Sequence, residues 1–341
     1  MRRPLVALLA LLACLAAAGC GGIAAPVPPA VPPLPEEGSA PAAATPGAGR
    51  ARIVVVTHGQ ASDPFWSVVR RGVDDAARQL DVTVDYEAPD SYDVARMARL
   101  IDAAVASRPA GLVVSLPDPA GLAPAVRRAV AAGIPVISIN SGSGAFRGLG
   151  IPVHVGQAEY AAGRAAGKRL AATGARRALC VIHEQGNRAL HERCRGVAEA
   201  LATVGGSVRT LTVDLQDSAG AVQAMARALR RGGVDSMVTL GGAAIAGSAI
   251  SALHADGLAG KLTYATFGLG TDTLRALRTG ELAFAVDQQP YLQGYLPVVL
   301  LAQYRLYGLL PAAGTLIPTG PVFVTKANAA RVLELAERGV R

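Results

Sequence analysis

The run Ile53-Val54-Val55-Val56-Thr57-His58-Gly59-Gln60-Ala61-Ser62-Asp63-Pro64-Phe65-Trp66 decides the fold. Its first four residues are apolar without alternation, which indicates a strand covered on both faces, as parallel strands are. A polar loop follows, and then Asp63 and Pro64 stand where a helix takes its N-cap and first residue. Phe65, Val69, Val73, Ala76 and Leu80 recur at helical spacing along one face. Strand, short polar loop and amphipathic helix together make the repeating unit of a parallel α/β sheet.

The unit repeats outward from there. Further strands are expected at Val82–Tyr86, Gly111–Leu116, Pro135–Asn140, Val153–Gly156, Ala178–His183, Val208–Val213, Ser236–Leu240, Leu262–Phe267 and Leu282–Asp287, with helical spacing between them. The fold class is therefore α/β, with doubly wound parallel sheets and right-handed crossovers. The roughly 290 residues from Arg52 onward exceed one ordinary core, so two domains are expected. Ligands sit at the carboxyl ends of strands in such sheets. The loops to watch begin at His58, Asn140, Glu184, Asp214, Gly241, Gly268 and Asp287.

The beginning of the chain reads differently. Arg2 and Arg3 precede an uncharged run from Leu5 to Ala18, which ends in Ala17-Ala18-Gly19-Cys20. A basic start, a short apolar run and small residues before a cut describe a secretory signal, residues 1–20. Small residues directly before a cysteine also resemble the lipobox of bacterial lipoproteins, which implies acylation of Cys20 and a membrane-anchored, extracytoplasmic protein. Ala17 stands where leucine is commoner, and ordinary cleavage after an alanine is the alternative. Residues 21–51 form a Pro/Ala/Gly-rich tether, with no aromatic residue and only Glu36 and Glu37 charged before Arg50. Such a segment buries too little apolar surface to offset its ordering entropy and acts as a spacer.

Composition excludes several classes. The formal charge is +8, two units of it from Arg2 and Arg3, and the remaining basic residues are scattered in pairs such as Arg127-Arg128 and Arg230-Arg231. Nucleic-acid binders concentrate theirs in a stripe. No Gly-x-Gly-x-x-Gly follows the first strand and no phosphate loop is present, which disfavours nucleotide enzymes. His191-Glu192 lacks the second histidine of a zinc protease helix, and the five histidines are dispersed. No nucleophile elbow is found, so neither an enzyme, a cofactor nor a metal is expected.

Thr57–Trp66 resembles the first strand and helix of sugar-binding periplasmic proteins of the ribose-binding type. Ala283-Phe284-Ala285-Val286-Asp287-Gln288-Gln289-Pro290 with Gly294, Gly133-Ile134-Pro135-Val136-Ile137 and Gly320-Pro321-Val322-Phe323-Val324-Thr325 resemble other segments of the same family. The resemblance covers about Arg52 to Lys326. It implies two similar lobes joined by three crossovers, the type I periplasmic binding protein fold, with ligand between them. Lobe one is expected over 52–156 and 288–318, lobe two over 157–287 and 319–341. The implied function is the monomeric solute-binding subunit of an ABC importer, partnered by a membrane permease and ATPase. A receptor for a membrane signalling protein is the alternative. Repressors that share the fold carry an N-terminal DNA-binding helix pair, where this chain has an export signal.

A sugar presents hydroxyls that need partners and C–H faces that pack on rings. Trp66, the sole tryptophan, with Phe65 and Phe267, offers the rings. Ser62, Asp63, Asn140 and Ser141 are expected to supply polar groups from lobe one, and Asn187, His191 and Asp214 from lobe two. Asp287 and Gln288 are expected at the crossover. Competing roles stay open: Asp63 and Asn187 as helix caps, Phe65 as a core contact, His191 as a surface residue. Ribose and pyranose binders carry an Asp-Arg pair after the fourth strand, where this chain has Asn140-Ser141. The family's asparagine after the third strand corresponds to Leu116, and its arginine on the helix after strand six falls near His191. The site is thus less charged than a ribose site, which leaves a modified sugar, a polyol or another small polar molecule.

Two cysteines remain beyond Cys14 and Cys20. Cys180 lies in an expected strand and Cys194 in the helix that packs back over it. An oxidising compartment favours a disulfide between them, and two buried thiols are the alternative.

Overall fold

The computed structural model describes residues 50–59 and 63–341. The signal, Cys20, the tether up to Gly49 and Ser62 lie outside the described residues. The first part of the fold runs β1 (Arg52–Val56), α1 (Pro64–Leu80), β2 (Thr83–Glu87), α2 (Val94–Ala106), β3 (Gly111–Ser115), α3 (Pro119–Ala131), β4 (Val136–Asn140) and β5 (Val153–Gly156). It continues with α4 (Glu159–Ala172), β6 (Arg177–Ile182), α5 (Arg188–Ala202), β7 (Ser207–Thr212), α6 (Ser218–Arg230), β8 (Ser236–Thr239), α7 (Gly242–Ala255), β9 (Thr263–Phe267), α8 (Thr271–Thr279) and β10 (Phe284–Asp287). The last elements are α9 (Pro290–Tyr307), β11 (Thr315–Pro318), β12 (Val322–Val324) and α10 (Ala329–Glu337).

These strands form two sheets, in the orders β11-β5-β4-β3-β1-β2 and β12-β10-β9-β8-β6-β7. All neighbouring pairs run parallel except β10 and β12. The chain passes from the first sheet to the second after β5, returns through α9 to β11, and crosses again to β12. Both faces of each sheet are covered, for the reason visible in the apolar runs. Val54 and Val56 join Leu112, Val114, Met97 and Val126 on one side, while Ile53 and Val55 join Val69, Val73, Val298 and Leu301 on the other. Successive strand side chains point to opposite faces, so a strand covered twice must be apolar at every position. β2 and β7 are edge strands with exposed polar positions.

Strand boundaries fall within two residues of those expected from the sequence. β11 and β12 were not expected; at four and three residues they are too short to show a period. Cys180 on β6 and Cys194 on α5 are joined by a disulfide, their Cα atoms 6.0 Å apart. No described helix is long and apolar enough to cross a membrane.

Two helix pairs pack so closely that glycine is required at the contact. A Cβ added to Gly294 on α9 would stand 1.9 Å from the carbonyl oxygen of Val69 on α1. A Cβ added to Gly163 on α4 would stand 2.2 Å from the carbonyl oxygen of Arg193 on α5. Backbone cannot yield to such an overlap without separating the helices. Gly294→Ala is therefore expected to destabilise the fold by about 1–3 kcal/mol, the cost of overpacking a tight core. Equilibrium urea unfolding measures it as a lower midpoint with an unchanged slope.

Candidate functional site

The carboxyl ends of both sheets converge on one cavity. From the first sheet come His58 after β1, Asp63, Phe65 and Trp66 at the start of α1, and Asn140 and Ser141 after β4. From the second come His183 and Glu184 after β6, Asn187 and Arg193 with α5, and Gly241 and Gly242 after β8. Gln288 joins them from the crossover after β10, and the space between them, with the solvent at its open mouth counted in, is about 510 Å³. The two halves already touch: the Arg188 backbone N–H donates to the Pro117 carbonyl at 2.9 Å, and Asn187 Nδ2 lies 3.4 Å from His58 Nε2.

The rings and caps are set by local sequence. Asp63 caps α1, one carboxylate oxygen accepting from the Phe65 N–H at 2.8 Å. The cap turns Phe65 and Trp66 toward the β1 loop, where Trp66 meets Phe65 edge-on at 5.2 Å and His58 at 4.9 Å. Asn187 caps α5 in the same way, and its amide donates to Glu184 at 2.7 Å. Asn140 holds a left-handed backbone, φ +58°, sparsely populated by residues other than glycine but tolerated by asparagine. That turn aims its amide at Gln293 Oε1, 3.2 Å away. Gln293 in turn donates to the Gln288 carbonyl at 3.0 Å and to Thr319 Oγ1 at 3.1 Å, so amides span the crossovers.

Arg193 forms the floor. Its Nε donates to Glu159 at 2.5 Å, and both side chains are 3 % exposed. Its other nitrogens donate to the Leu240 carbonyl and, at 2.9 Å, to Gln288 Oε1, while the guanidinium lies over the Phe267 ring at 5.0 Å. Burial and this guanidinium suppress protonation of the neighbouring imidazoles. His58 is pulled down to about 3 by burial, then by His183 and Arg193, and His183 to about 4 by burial and Arg193. Burial pushes the Glu184 carboxyl up to about 7, helped by the Asp63 charge and opposed by the Asn187 hydrogen bond and Arg193. Burial also raises Asp63, against the pull of the Phe65 and Trp66 N–H groups.

Of the residues expected from sequence, Asp63, Phe65, Trp66, Asn140, Ser141, Asn187 and Gln288 line this cavity. Four do not. His191 is exposed on the outer side of α5 and pairs with the Gln185 carbonyl at 2.7 Å. Asp214 is exposed and closes a turn on the Gln216 N–H. Phe267 is wholly buried in the core of the second sheet. Asp287, 1 % exposed, faces a neighbouring cavity and pairs with Arg341. With His191 standing near the place of the family's arginine, the site was expected to be less charged; Arg193, two positions on and about 200° further around the helix at 100° per residue, lines the cavity instead. His58, Glu184 and Gly241 were marked only as loop starts; His183 and Arg193 were not singled out. No described cluster of His, Cys, Asp or Glu is placed to hold a metal.

Comparison with known proteins places this architecture. A family model described as the periplasmic binding protein domain matches residues 53–307, and the chain belongs to that family. A carbohydrate transporter of Acidothermus cellulolyticus, solved in complex with myo-inositol, is 37 % identical, with a TM-score of 0.80 over 86 % of this chain and 100 % of that one. A xylose/arabinose-binding protein of Sulfolobus acidocaldarius is 26 % identical over 81 % of this chain and 71 % of its own length. The solute-binding protein of Agrobacterium vitis bound to α-D-tagatopyranose, 19 % identical with a TM-score of 0.73 over 83 % of this chain and 98 % of that one, shares the fold. The chain is accordingly a binding protein and not an enzyme.

The buried carboxyl of Glu184 gives stability a predictable pH dependence. Its folded value, about 7, stands above its ordinary value of 4.5, so the folded state binds more protons between those limits and loses stability as pH rises through them. Glu184→Gln removes that loss. The variant is expected to melt at a higher temperature than wild type above neutrality, with the difference vanishing below about pH 4.5, where both side chains are uncharged. Thermal melts of both proteins across that range measure it; a constant difference would mean that Glu184 keeps one charge state throughout.

Proposed function

We propose that this periplasmic binding protein is the capturing subunit of an ABC importer and that its ligand is a small polyhydroxylated ring, a cyclitol or a sugar. The observation that supports this best is the cavity itself: amides, hydroxyl and carboxylates from both sheets surround a space walled by Phe65 and Trp66. Hydroxyls buried there find acceptors and donors, and a C–H ring face finds an aromatic surface. The relative with myo-inositol bound, at 37 % identity, supports a polyol ring.

The proposed lobes are 52–156 with 288–318 and 157–287 with 319–341, each built on one sheet. Each contributes part of the site, so ligand binds weakly to one lobe and closure about the three crossovers completes the contacts. The closed shape is then what a permease recognises. Residues 1–20 are read as a lipoprotein signal and Cys20 as the acylated first residue, holding the protein outside the cytoplasm on a Pro-rich tether.

A thermal-shift panel of myo-inositol, xylose, arabinose and their isomers is expected to find a ligand, which at 100 times its Kd adds about 2.7 kcal/mol of stability. That ligand should shift the emission of Trp66, the only tryptophan, saturably. Asn140→Ala should weaken it by about 1–3 kcal/mol through an unpaired hydroxyl, and unchanged affinity would place the ligand elsewhere. Intact mass of the membrane fraction tests the anchor. An acylated chain beginning at Cys20 is expected, and an unmodified N-terminus at another residue refutes it.

A further inference from the structure

A ligand bearing only hydroxyls leaves the cleft electrically unbalanced. Asp63 and Glu184 both line it, one from each sheet. Arg193 is the one cationic side chain lining it among the described residues, and that guanidinium is already joined to buried Glu159 at 2.5 Å. His58 and His183 are kept uncharged by burial and by Arg193. Asp63 accepts from the Phe65 N–H and Glu184 from Asn187, but once both are ionised, above about pH 7 for Glu184, no free cation among the described residues of the cavity wall remains to offset their charge. Hydroxyls can satisfy their lone pairs but cannot cancel their charge.

We propose that the cleft takes a polyol ring bearing a protonated amine, an aminocyclitol or amino sugar, with its ammonium group between Asp63 and Glu184. This deepens, and rests on, the reading of the cleft as the ligand site. An ammonium group carries three N–H donors and no acceptor. Besides the two carboxylates, the cavity wall holds His183, an uncharged imidazole that adds no positive charge to compete with the ammonium group. Phe65 and Trp66 present ring surface on the Asp63 side, and aromatic faces attract cations as well as C–H groups. Anionic ligands such as sugar phosphates and uronic acids meet like charge and are excluded.

Matched pairs on the full-length protein test this by calorimetry at mildly alkaline pH: myo-inositol against an inosamine, and glucose against glucosamine, with N-acetylglucosamine as the uncharged control. The amine of at least one pair is expected to bind on the order of tenfold more tightly than its hydroxyl twin, as charge-assisted bonds exceed neutral ones. Asp63→Asn, which keeps a capping side chain, and Glu184→Gln should each erase most of that preference, weakening the amine more than its hydroxyl twin. The inference falls if the hydroxyl twin binds as tightly as the amine, or if the preference survives both substitutions. Neutral rings binding while amines fail would overturn it and leave the importer reading intact. No binding by any member of the pairs or by the wider sugar panel would overturn both.

Discussion

The buried pair between Arg193 and Glu159 governs most of what surrounds it. Two charges at 3 % exposure are held together by shared partners: the Glu159 oxygen that accepts from Arg193 also accepts from Gln157 at 2.9 Å, its other oxygen being buried without a partner, and Arg193 reaches a carbonyl and Gln288. Removing one partner would strand the other in a low-dielectric interior, a penalty of about 3–5 kcal/mol. The pair sits where α4 and α5 meet most closely, at Gly163 against the Arg193 backbone. Next to Arg193 in sequence, Cys194 ties α5 to β6. One turn of helix is therefore fixed by packing, by a covalent bond and by charge, and it carries the floor of the cavity. Burial, with help from the same guanidinium, keeps the imidazoles above it uncharged, and that guanidinium, being already paired, leaves the cleft carboxylates without a cation.

The other half of the site is built on softer principles. Phe65 and Trp66 are placed by an N-cap, Asn140 by a single left-handed turn, and Gln288 by a chain of amides through Gln293 and Thr319. These amides link two of the three crossovers, at Gln288 and Thr319. Amide side chains suit that position because each both donates and accepts, so a bond lost in one arrangement can be replaced in another.

The sequence made the fold legible because strands covered on both faces leave an unmistakable record. Ile53–Val56 are apolar at every position, interior strands such as Gly111–Ser115 and Arg177–Ile182 are mostly so, and helical spacing follows them. The loops of the site were legible too, since carboxyl ends of parallel strands are where ligands bind. Which side chain faces the cavity was harder. Phe267 ends its strand with its ring turned into the core, a matter of parity that one residue reverses. His191 and Arg193 lie on one helix two residues apart, and that spacing turns them to opposite sides. Asp287 looked available because its partner, Arg341, is 54 residues away and nothing local announces the pairing. Charge inside the cavity was the least legible property of all. It depends on Glu159 being spent on Arg193, 34 residues distant.

On the proposed mechanism, that residual charge also controls closure. Asp63 belongs to the first sheet and Glu184 to the second, so bringing the lobes together brings two carboxylates toward each other and out of water. Burial pushes the proton affinity of Glu184 upward, and the Asp63 charge adds to it. Opposing this, the direct contacts across the cleft include one backbone hydrogen bond at 2.9 Å and the approaches of the His58 imidazole to the Asn187 amide at 3.4 Å and to the Glu184 carboxylate at 3.8 Å. A neutral–neutral hydrogen bond contributes only about 1 kcal/mol net, and enclosure strengthens the repulsion between like charges. The empty closed state is therefore held back by its own ligand-binding groups. A ligand shifts the equilibrium only by what it gains in the closed form over the open one. Neutralising or hydrogen-bonding those two carboxylates is a gain available only when both lobes surround it, which makes the site that recognises the ligand the same device that reports its arrival.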